Sequence, residues 1–138
     1  MRKIISLIML LIILLSFGLQ ATAAESGTID ISPMWTNLIT LGTTLSIDSS
    51  GKATCTGNMT QNLSNGTCVL VMNLQKLDSN NTWYTIATWT KEGTTKCVNT
   101  TYKTVSKGTY RLSVTGKVYN SYGNFIESGT TNSISKIY

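Results

Sequence analysis

The sequence predicts an all-β protein: a seven-stranded antiparallel β-sandwich that follows an N-terminal signal peptide. Two observations predict this class. Beyond about residue 35, apolar residues recur at every second position, and no stretch shows the 3.6-residue period of an amphipathic helix. These alternating runs are short, and turn sequences rich in Asn, Asp, Ser and Gly separate them at near-regular intervals, as in a sandwich.

The N-terminal segment has the pattern of a secretory signal peptide. Two basic residues precede an apolar run from Ile4 to Leu19, and Ala21-Thr22-Ala23 is a small-x-small cleavage site. We therefore expect residues 1–24 to be removed, which leaves a secreted domain of residues 25–138 without a membrane span. An uncleaved anchor is the alternative, because an apolar run of about 16 residues approaches the length that crosses a bilayer.

The first three strands are bounded by their turns. Strand one runs from about 36 to 47 and ends at Asp48-Ser49-Ser50-Gly51, and strand two runs from about 52 to 63. Ser64-Asn65-Gly66 is an Asn-Gly hairpin signal that leads into strand three. Strand three carries apolar residues on both faces, which indicates a central strand, and its positions are Cys68, Leu70, Met72 and Leu74 against Val69, Val71, Asn73 and Gln75.

Strands four and five follow the turn Asp78-Ser79-Asn80-Asn81. Strand four spans about 82 to 91, and strict alternation places Trp83 and Trp89 on one of its faces. Glu92-Gly93 ends it, and strand five then spans about 95 to 103.

Strand six, from Tyr110 to Val118, has the clearest alternation in the sequence, and strand seven spans 125 to 138. Gly108 and Tyr110 match the tyrosine corner of immunoglobulin-like and fibronectin type III domains. We expect a fibronectin-like order in which strands one, two and five face strands three, four, six and seven. A jelly roll or a small barrel is the alternative.

Short sequences spread over nearly the whole region after the signal peptide carry a resemblance. They are Ile31-Ser32-Pro33, Trp35-Thr36-Asn37, Gly51-Lys52-Ala53-Thr54-Cys55, Leu74-Gln75-Lys76, Trp83, Trp89-Thr90 and Val105-Ser106-Lys107-Gly108-Thr109-Tyr110-Arg111. With them the chain resembles a family of small secreted proteins from Gram-positive gut bacteria, a domain of unknown function. The resemblance implies export and the sandwich fold, and it implies no activity, ligand or catalytic residue. Cys68 and Cys97 depart from the family's usual pattern.

Three cysteines in an exported chain allow at most one intramolecular disulfide. In an up-and-down run of strands, Cys68 and Cys97 begin strands three and five at the same end of the sandwich, whereas Cys55 lies toward the opposite end. We therefore predict a disulfide between Cys68 and Cys97 and a buried free thiol at Cys55. Three reduced thiols are the alternative.

The composition argues against an enzyme and against a metal or cofactor site. The chain has no His, which removes Ser-His-Asp and Cys-His systems and His-containing zinc sites, and three cysteines are too few for an all-cysteine zinc site. The Asp78-Ser79-Asn80-Asn81 turn lacks the bidentate Glu of a calcium loop. We expect no catalytic residue, no metal and no cofactor.

Aromatic side chains are the feature that favours ligand binding, because exposed flat rings on a β-sandwich can stack on sugars. The aromatic residues in question are Trp35, Trp83, Tyr84, Trp89, Tyr119 and Tyr122. We select Trp35, Trp83 and Trp89 as candidate ligand-binding residues. The alternative is core packing, since Trp83 and Trp89 share a predicted face and one of them can fill the core.

The charged residues narrow the choice of partners. After the signal peptide, nine Lys and Arg stand against six Asp and Glu, and the cations are spread singly along the chain. Nucleic-acid binding needs clustered positive charge, so we expect no nucleic-acid partner. A cell-surface polysaccharide or a protein is the partner class that remains.

Together these features predict a secreted, non-enzymatic β-sandwich protein that acts as a binding or surface-interaction module. Two other roles stay open: a carbohydrate-binding module, and a small secreted inhibitor or toxin. A third is a structural role in which exposed edge strands pair between copies.

Overall fold

The computed structural model describes residues 34–138, which form two antiparallel β-sheets packed face to face. The predicted signal peptide, residues 1–24, lies outside the described residues, as do residues 25–33. The described part of the chain contains no helix, and therefore none of the length and hydrophobicity that would cross a membrane.

The strands of this region are β1 (Leu38–Ile47), β2 (Lys52–Gln61), β3 (Thr67–Leu77), β4 (Trp83–Gly93), β5 (Lys96–Thr104), β6 (Thr109–Tyr119), β7 (Phe125–Asn132) and β8 (Lys136–Ile137). One sheet has three strands in the order β1-β2-β5, and the five-stranded sheet has the order β4-β3-β6-β7 with β8 paired to β6. The predicted all-β sandwich is confirmed, and so is the predicted division of the strands between two sheets.

The predicted seventh strand is divided in two. β7 ends at Asn132, and β8 then pairs Lys136 with Tyr110 at the start of β6. Ser133 lies at the break, where its hydroxyl accepts a hydrogen bond from the Leu112 amide at 2.9 Å. Because a side-chain hydroxyl takes the place of a backbone acceptor, the regular ladder ends there.

The core lies between the sheets and consists of the alternate residues of the central strands. In β2, β3 and β6 every second residue is buried, which is the pattern that the period of two predicts. Two glycines make room for two methionines: a Cβ on Gly57 would lie 2.8 Å from Sδ of Met72, and one on Gly116 would lie 3.2 Å from Sδ of Met59. Flexible thioether side chains thus fill the centre of the sandwich.

The predicted tyrosine corner is present at the start of β6. Tyr110 is 1% exposed, and its hydroxyl donates a hydrogen bond to the Ser106 carbonyl at 2.8 Å. Gly108 has a φ of 152°, a backbone conformation that residues with a side chain rarely adopt, so the corner favours a glycine at this position. The contact ties the connection from β5 to the strand that it leads into.

Gln61 joins the two connections that cross between the sheets at one end of the sandwich, β2–β3 and β4–β5. Its side chain is 3% exposed, and its amide nitrogen donates to the carbonyls of Thr94 and Gly66. Its carbonyl oxygen accepts a hydrogen bond from the Leu63 amide. One buried side chain therefore satisfies two backbone groups of the β2–β3 connection and one of the β4–β5 connection.

Glu127 connects the two sheets on the opposite side, where β1 lies beside β7. Its carboxylate accepts hydrogen bonds from three consecutive backbone amides, those of Thr36 at 3.1 Å, Asn37, and Leu38 at 2.6 Å. Burial acts to raise the pKa of Glu127, but the amide hydrogen bonds outweigh burial and hold the pKa below its ordinary value. The segment that leads into β1 is thereby fixed to β7.

Candidate functional site

The tryptophans selected from the sequence do not converge on one site. In β4 the register with β3 shifts between Thr85 and Ala87, so Ile86 forms a bulge without a partner in β3. The extra residue reverses the orientation of the side chains that precede it. Trp83 and Trp89 therefore lie on opposite faces of the sheet, and the prediction that they share a face is wrong.

Trp89 faces the inside of the sandwich, where it pairs with Met72 and packs against the buried cluster. Trp83 lies on the outer face, with the guanidinium carbon of Arg111 at 4.5 Å from its ring centroid. Arg111 in turn donates a hydrogen bond through Nε to Oε1 of Gln75 at 2.8 Å. Arg111 therefore covers one face of the Trp83 indole.

Trp35 is partly buried and packs against the core at Gly129 of β7. A Cβ on Gly129 would lie 2.5 Å from Cε2 of the Trp35 ring, so the indole occupies the space that a larger residue would need. This contact lies two residues from Glu127 on the same strand. Trp35 therefore anchors the lead-in segment, and core packing accounts for it.

The predicted pair of cysteines is brought together. Cys68 and Cys97 are buried, and their Sγ atoms lie 2.8 Å apart, which is longer than an S–S bond. Burial and the hydrogen bond with Cys68 raise the pKa of Cys97 to about 12. Cys55 is buried at another point of the core, and burial raises its pKa to about 11. All three are free thiols in the structure, so the disulfide stays a prediction.

A shallow pocket of about 470 Å³ opens on the outer face of the five-stranded sheet, at the end where β3 begins and β6 ends. We call it the turn pocket, because the turn between β6 and β7 forms part of its wall. Its lining residues are Thr67, Val69, Glu92, Tyr119, Asn120, Ser121 and Gly123. Val69 lies at the centre of this group, since it pairs with Glu92 on β4 and with Lys117 on β6.

Local contacts fix the wall of the turn pocket. The Tyr119 ring meets the Phe125 ring edge to face, with centroids 5.8 Å apart and planes at 71°. Oδ1 of Asn120 accepts hydrogen bonds from the amides of Tyr122 at 3.0 Å and Asn124 at 2.9 Å. Gly123 has a φ of 79°, the left-handed conformation that this turn requires. Because Oδ1 of Asn120 is used within the turn, its side-chain amide nitrogen is the group that can donate a hydrogen bond to a ligand.

A polar strip extends from the turn pocket along the outer face of the same sheet. The Thr88 hydroxyl donates to Oδ1 of Asn73 at 2.7 Å, and the hydroxyls of Thr115 and Thr130 lie 2.8 Å apart. Beyond these pairs the strip reaches Gln75 and then Trp83 at the far end of β4. The outer face is thus polar along most of its length, with an aromatic ring at each end.

The sequence interpretation missed the turn pocket, although it named Tyr119 among the aromatic residues. Two features of the sequence could have indicated the pocket. The period of two puts Val69 on the outer face of β3, and Tyr119 stands directly before a turn sequence. Glu92 was assigned to a strand end, and β4 instead continues through it to Gly93. Glu92 therefore lines the pocket as part of β4, although the Glu92-Gly93 sequence resembles a strand end.

Cations that are separate in the sequence lie together at one end of the sandwich. The basic end comprises the connections β1–β2, β3–β4 and β5–β6 with the adjoining strand termini and residues 133–138. Its cations are Lys52, Lys76, Lys103, Lys107, Arg111 and Lys136, and its carboxylates are Asp48 and Asp78. Three further lysines lie at the opposite end, which also holds the turn pocket.

Within residues 34–138 no group of three or more His, Cys, Asp or Glu side chains is placed to hold a metal ion. Comparison with known proteins gave no matching family model and no matching curated sequence.

Proposed function

We propose that this chain is a secreted, non-enzymatic β-sandwich module that binds its ligand on the outer face of the five-stranded sheet. The observation that carries the proposal is the turn pocket, which joins an aromatic ring, a carboxylate, hydroxyls and an amide in one concave site. Export rests on the signal-peptide pattern of residues 1–24 and on the resemblance to small secreted bacterial proteins.

The placement of the carboxylates supports a binding role rather than catalysis. Asp48 and Asp78 each accept amide hydrogen bonds within their own turns. Glu127 holds the lead-in to β1. Glu92 is the carboxylate in the pocket lining, whereas acid–base hydrolysis of a glycosidic bond uses two.

Binding of the mature chain, residues 25–138, to intact cells and to isolated wall polysaccharide tests the proposal. Val69→Arg places a long charged side chain on the pocket floor, and we expect it to abolish saturable binding. Thr44→Arg is the matched control, because Thr44 is exposed on the outer face of the other sheet and the added charge is the same. Equal loss in both variants, or no binding by the unmodified chain, would contradict the proposal.

We also propose that Cys68 and Cys97 are joined by a disulfide in the exported protein. Exchange with an oxidised dithiol oxidoreductase would transfer two electrons and two protons from the two thiols to the donor disulfide, forming one S–S bond and two donor thiols. Burial of both thiols, with the raised pKa of Cys97, makes this exchange slow once the sheets have closed. We therefore place it during folding.

A further inference from the structure

We infer that the turn pocket binds a neutral saccharide of one or two sugar rings. The inference rests on the proposed function and names the ligand class of its site. The inferred site uses Tyr119 and Glu92. From the rise per residue of a β-strand, these residues lie about 30 Å along the sheet from Trp83.

The size and openness of the turn pocket suit a small ligand at the end of a chain. Its volume of about 470 Å³ lies in the lower part of the range for small-molecule sites. The pocket opens to solvent on the outer face, and that face continues past Val71 and Thr90 to the hydrogen-bonded pair Thr88 and Asn73. A longer glycan could therefore enter with its terminal rings in the pocket and the remaining rings along the sheet.

The apolar surfaces of the pocket match the apolar face of a sugar ring. A pyranose presents C–H groups on its faces and hydroxyls around its rim. In the turn pocket, the side chain of Val69 forms apolar floor and the ring of Tyr119 forms apolar wall. The edge-to-face contact with Phe125 fixes the tilt of the Tyr119 ring before a ligand arrives, which lowers the entropy lost on binding.

The polar groups match the rim of a sugar ring. The carboxylate of Glu92 can accept two hydrogen bonds from neighbouring hydroxyls, and hydrogen bonds to a charged acceptor are stronger than neutral ones. The Asn120 amide nitrogen donates, because the oxygen of that side chain is already used within the turn. The hydroxyls of Thr67 and Ser121 can donate or accept.

The charges around the pocket favour an uncharged ligand. Glu92 and Lys117 flank Val69 from the strands on either side of β3, so the floor has one negative and one positive neighbour. A charged sugar of either sign would therefore meet one attractive and one repulsive neighbour beside Val69. Neither charge is favoured over a neutral hydroxyl.

Titration of the mature chain by calorimetry and by two-dimensional NMR tests the inference. The probes are glucose, galactose, N-acetylglucosamine and their β-linked disaccharides, with glucuronic acid and glucosamine as charged counterparts. We expect the neutral sugars to bind best and to shift the amide signals of residues 119–123. Glu92→Gln, which keeps the shape and removes the charge, should weaken binding about tenfold. Tyr119→Leu should abolish it.

Thr88→Val is the matched control, because it removes a hydroxyl from the same face of β4 outside the pocket lining. Its affinity for a monosaccharide should be unchanged, and the NMR spectrum of each variant reports whether the fold is intact. Sugar binding that survives Glu92→Gln and Tyr119→Leu but is lost in Trp83→Ala would overturn the pocket as the site.

The two experiments distinguish an error in the ligand class from an error in the proposed function. If the chain binds cells in a manner sensitive to Val69→Arg and no sugar of the panel binds, the saccharide is wrong and the binding module stands. If charged sugars bind better than neutral ones, the charge argument is wrong. If neither cells nor sugars bind, both the inference and the proposed function fail.

Discussion

The side chain of Glu127 shows how one residue can join two sheets without a backbone ladder. Three successive amides, at residues 36 to 38, point at one carboxylate, so the start of β1 is bound to β7 by a charged acceptor. Hydrogen bonds to a charged group contribute more than neutral ones because the charge strengthens each of them. Trp35 reinforces the same junction from Gly129.

We predict that Glu127→Gln lowers the free energy of unfolding at pH 7 by about 1 to 2 kcal/mol, because one acceptor oxygen becomes neutral and the other becomes an NH2 group that cannot accept. The folded-state pKa of Glu127 is below its ordinary value of 4.5, so its stabilisation is present above that value and is lost as pH falls through the folded-state pKa. The difference between the two proteins should therefore shrink in acid.

Urea unfolding followed by Trp fluorescence at pH 7 and at pH 3 measures this difference. Glu92→Gln is the control, since Glu92 lies on the outer face and does not join the sheets. A difference that is the same at both pH values would show that the carboxylate charge has no part in the junction.

Bulges mark three of the edge strands, and isoleucine is the unpaired residue in each. Ile39 in β1, Ile86 in β4 and Ile126 in β7 stand at the register shifts with the neighbouring strands. A bulge twists an edge strand and interrupts the row of amides and carbonyls that another chain could pair with. These edges are therefore poor templates for association.

We predict that the mature chain is a monomer, because three bulged edges work against strand pairing between copies. Light scattering at increasing protein concentration should give the mass of one chain throughout. A mass that rises with concentration would support the structural role in which copies assemble through their edges.

The strands were predictable from the sequence, whereas the bulges were not. Alternation and turn residues are local, so the boundaries near Asp48-Ser49-Ser50-Gly51 and Ser64-Asn65-Gly66 agree with the structure. A bulge is defined by the partner strand, and nothing in the residues from Trp83 to Trp89 shows that Ile86 has no partner in β3. The wrong prediction that Trp83 and Trp89 share a face follows from the bulge at Ile86.

The candidate site depends on the whole molecule in the same way. The turn pocket takes side chains from three strands and one turn, and its members lie between Thr67 and Gly123 in the sequence. The sequence selected tryptophans by type, and the fold uses Trp35 and Trp89 in packing. The proximity of Cys68 and Cys97 could be predicted, because strand direction alone places both at one end of the sandwich.

A bond between Cys68 and Cys97 would link the two sheets, since β3 and β5 belong to different ones. We predict that it stabilises the fold by about 3 to 4 kcal/mol through the loop that it closes. Urea unfolding with and without dithiothreitol measures this, and the oxidised chain should weigh two hydrogens less. Cys55→Ala should keep the effect of the reductant and Cys68→Ala should lose it. An unfolding midpoint that the reductant leaves unchanged would contradict the bond.

The basic end makes the sandwich an electric dipole. Among residues 34–138, six cations and two carboxylates give that end a side-chain charge of +4, while three cations and two carboxylates give the other end +1. An anionic surface would therefore draw the molecule in with the basic end first, and with its strands standing upright. The turn pocket is at the far end, so on such a surface the pocket would face away from the surface and toward the solvent.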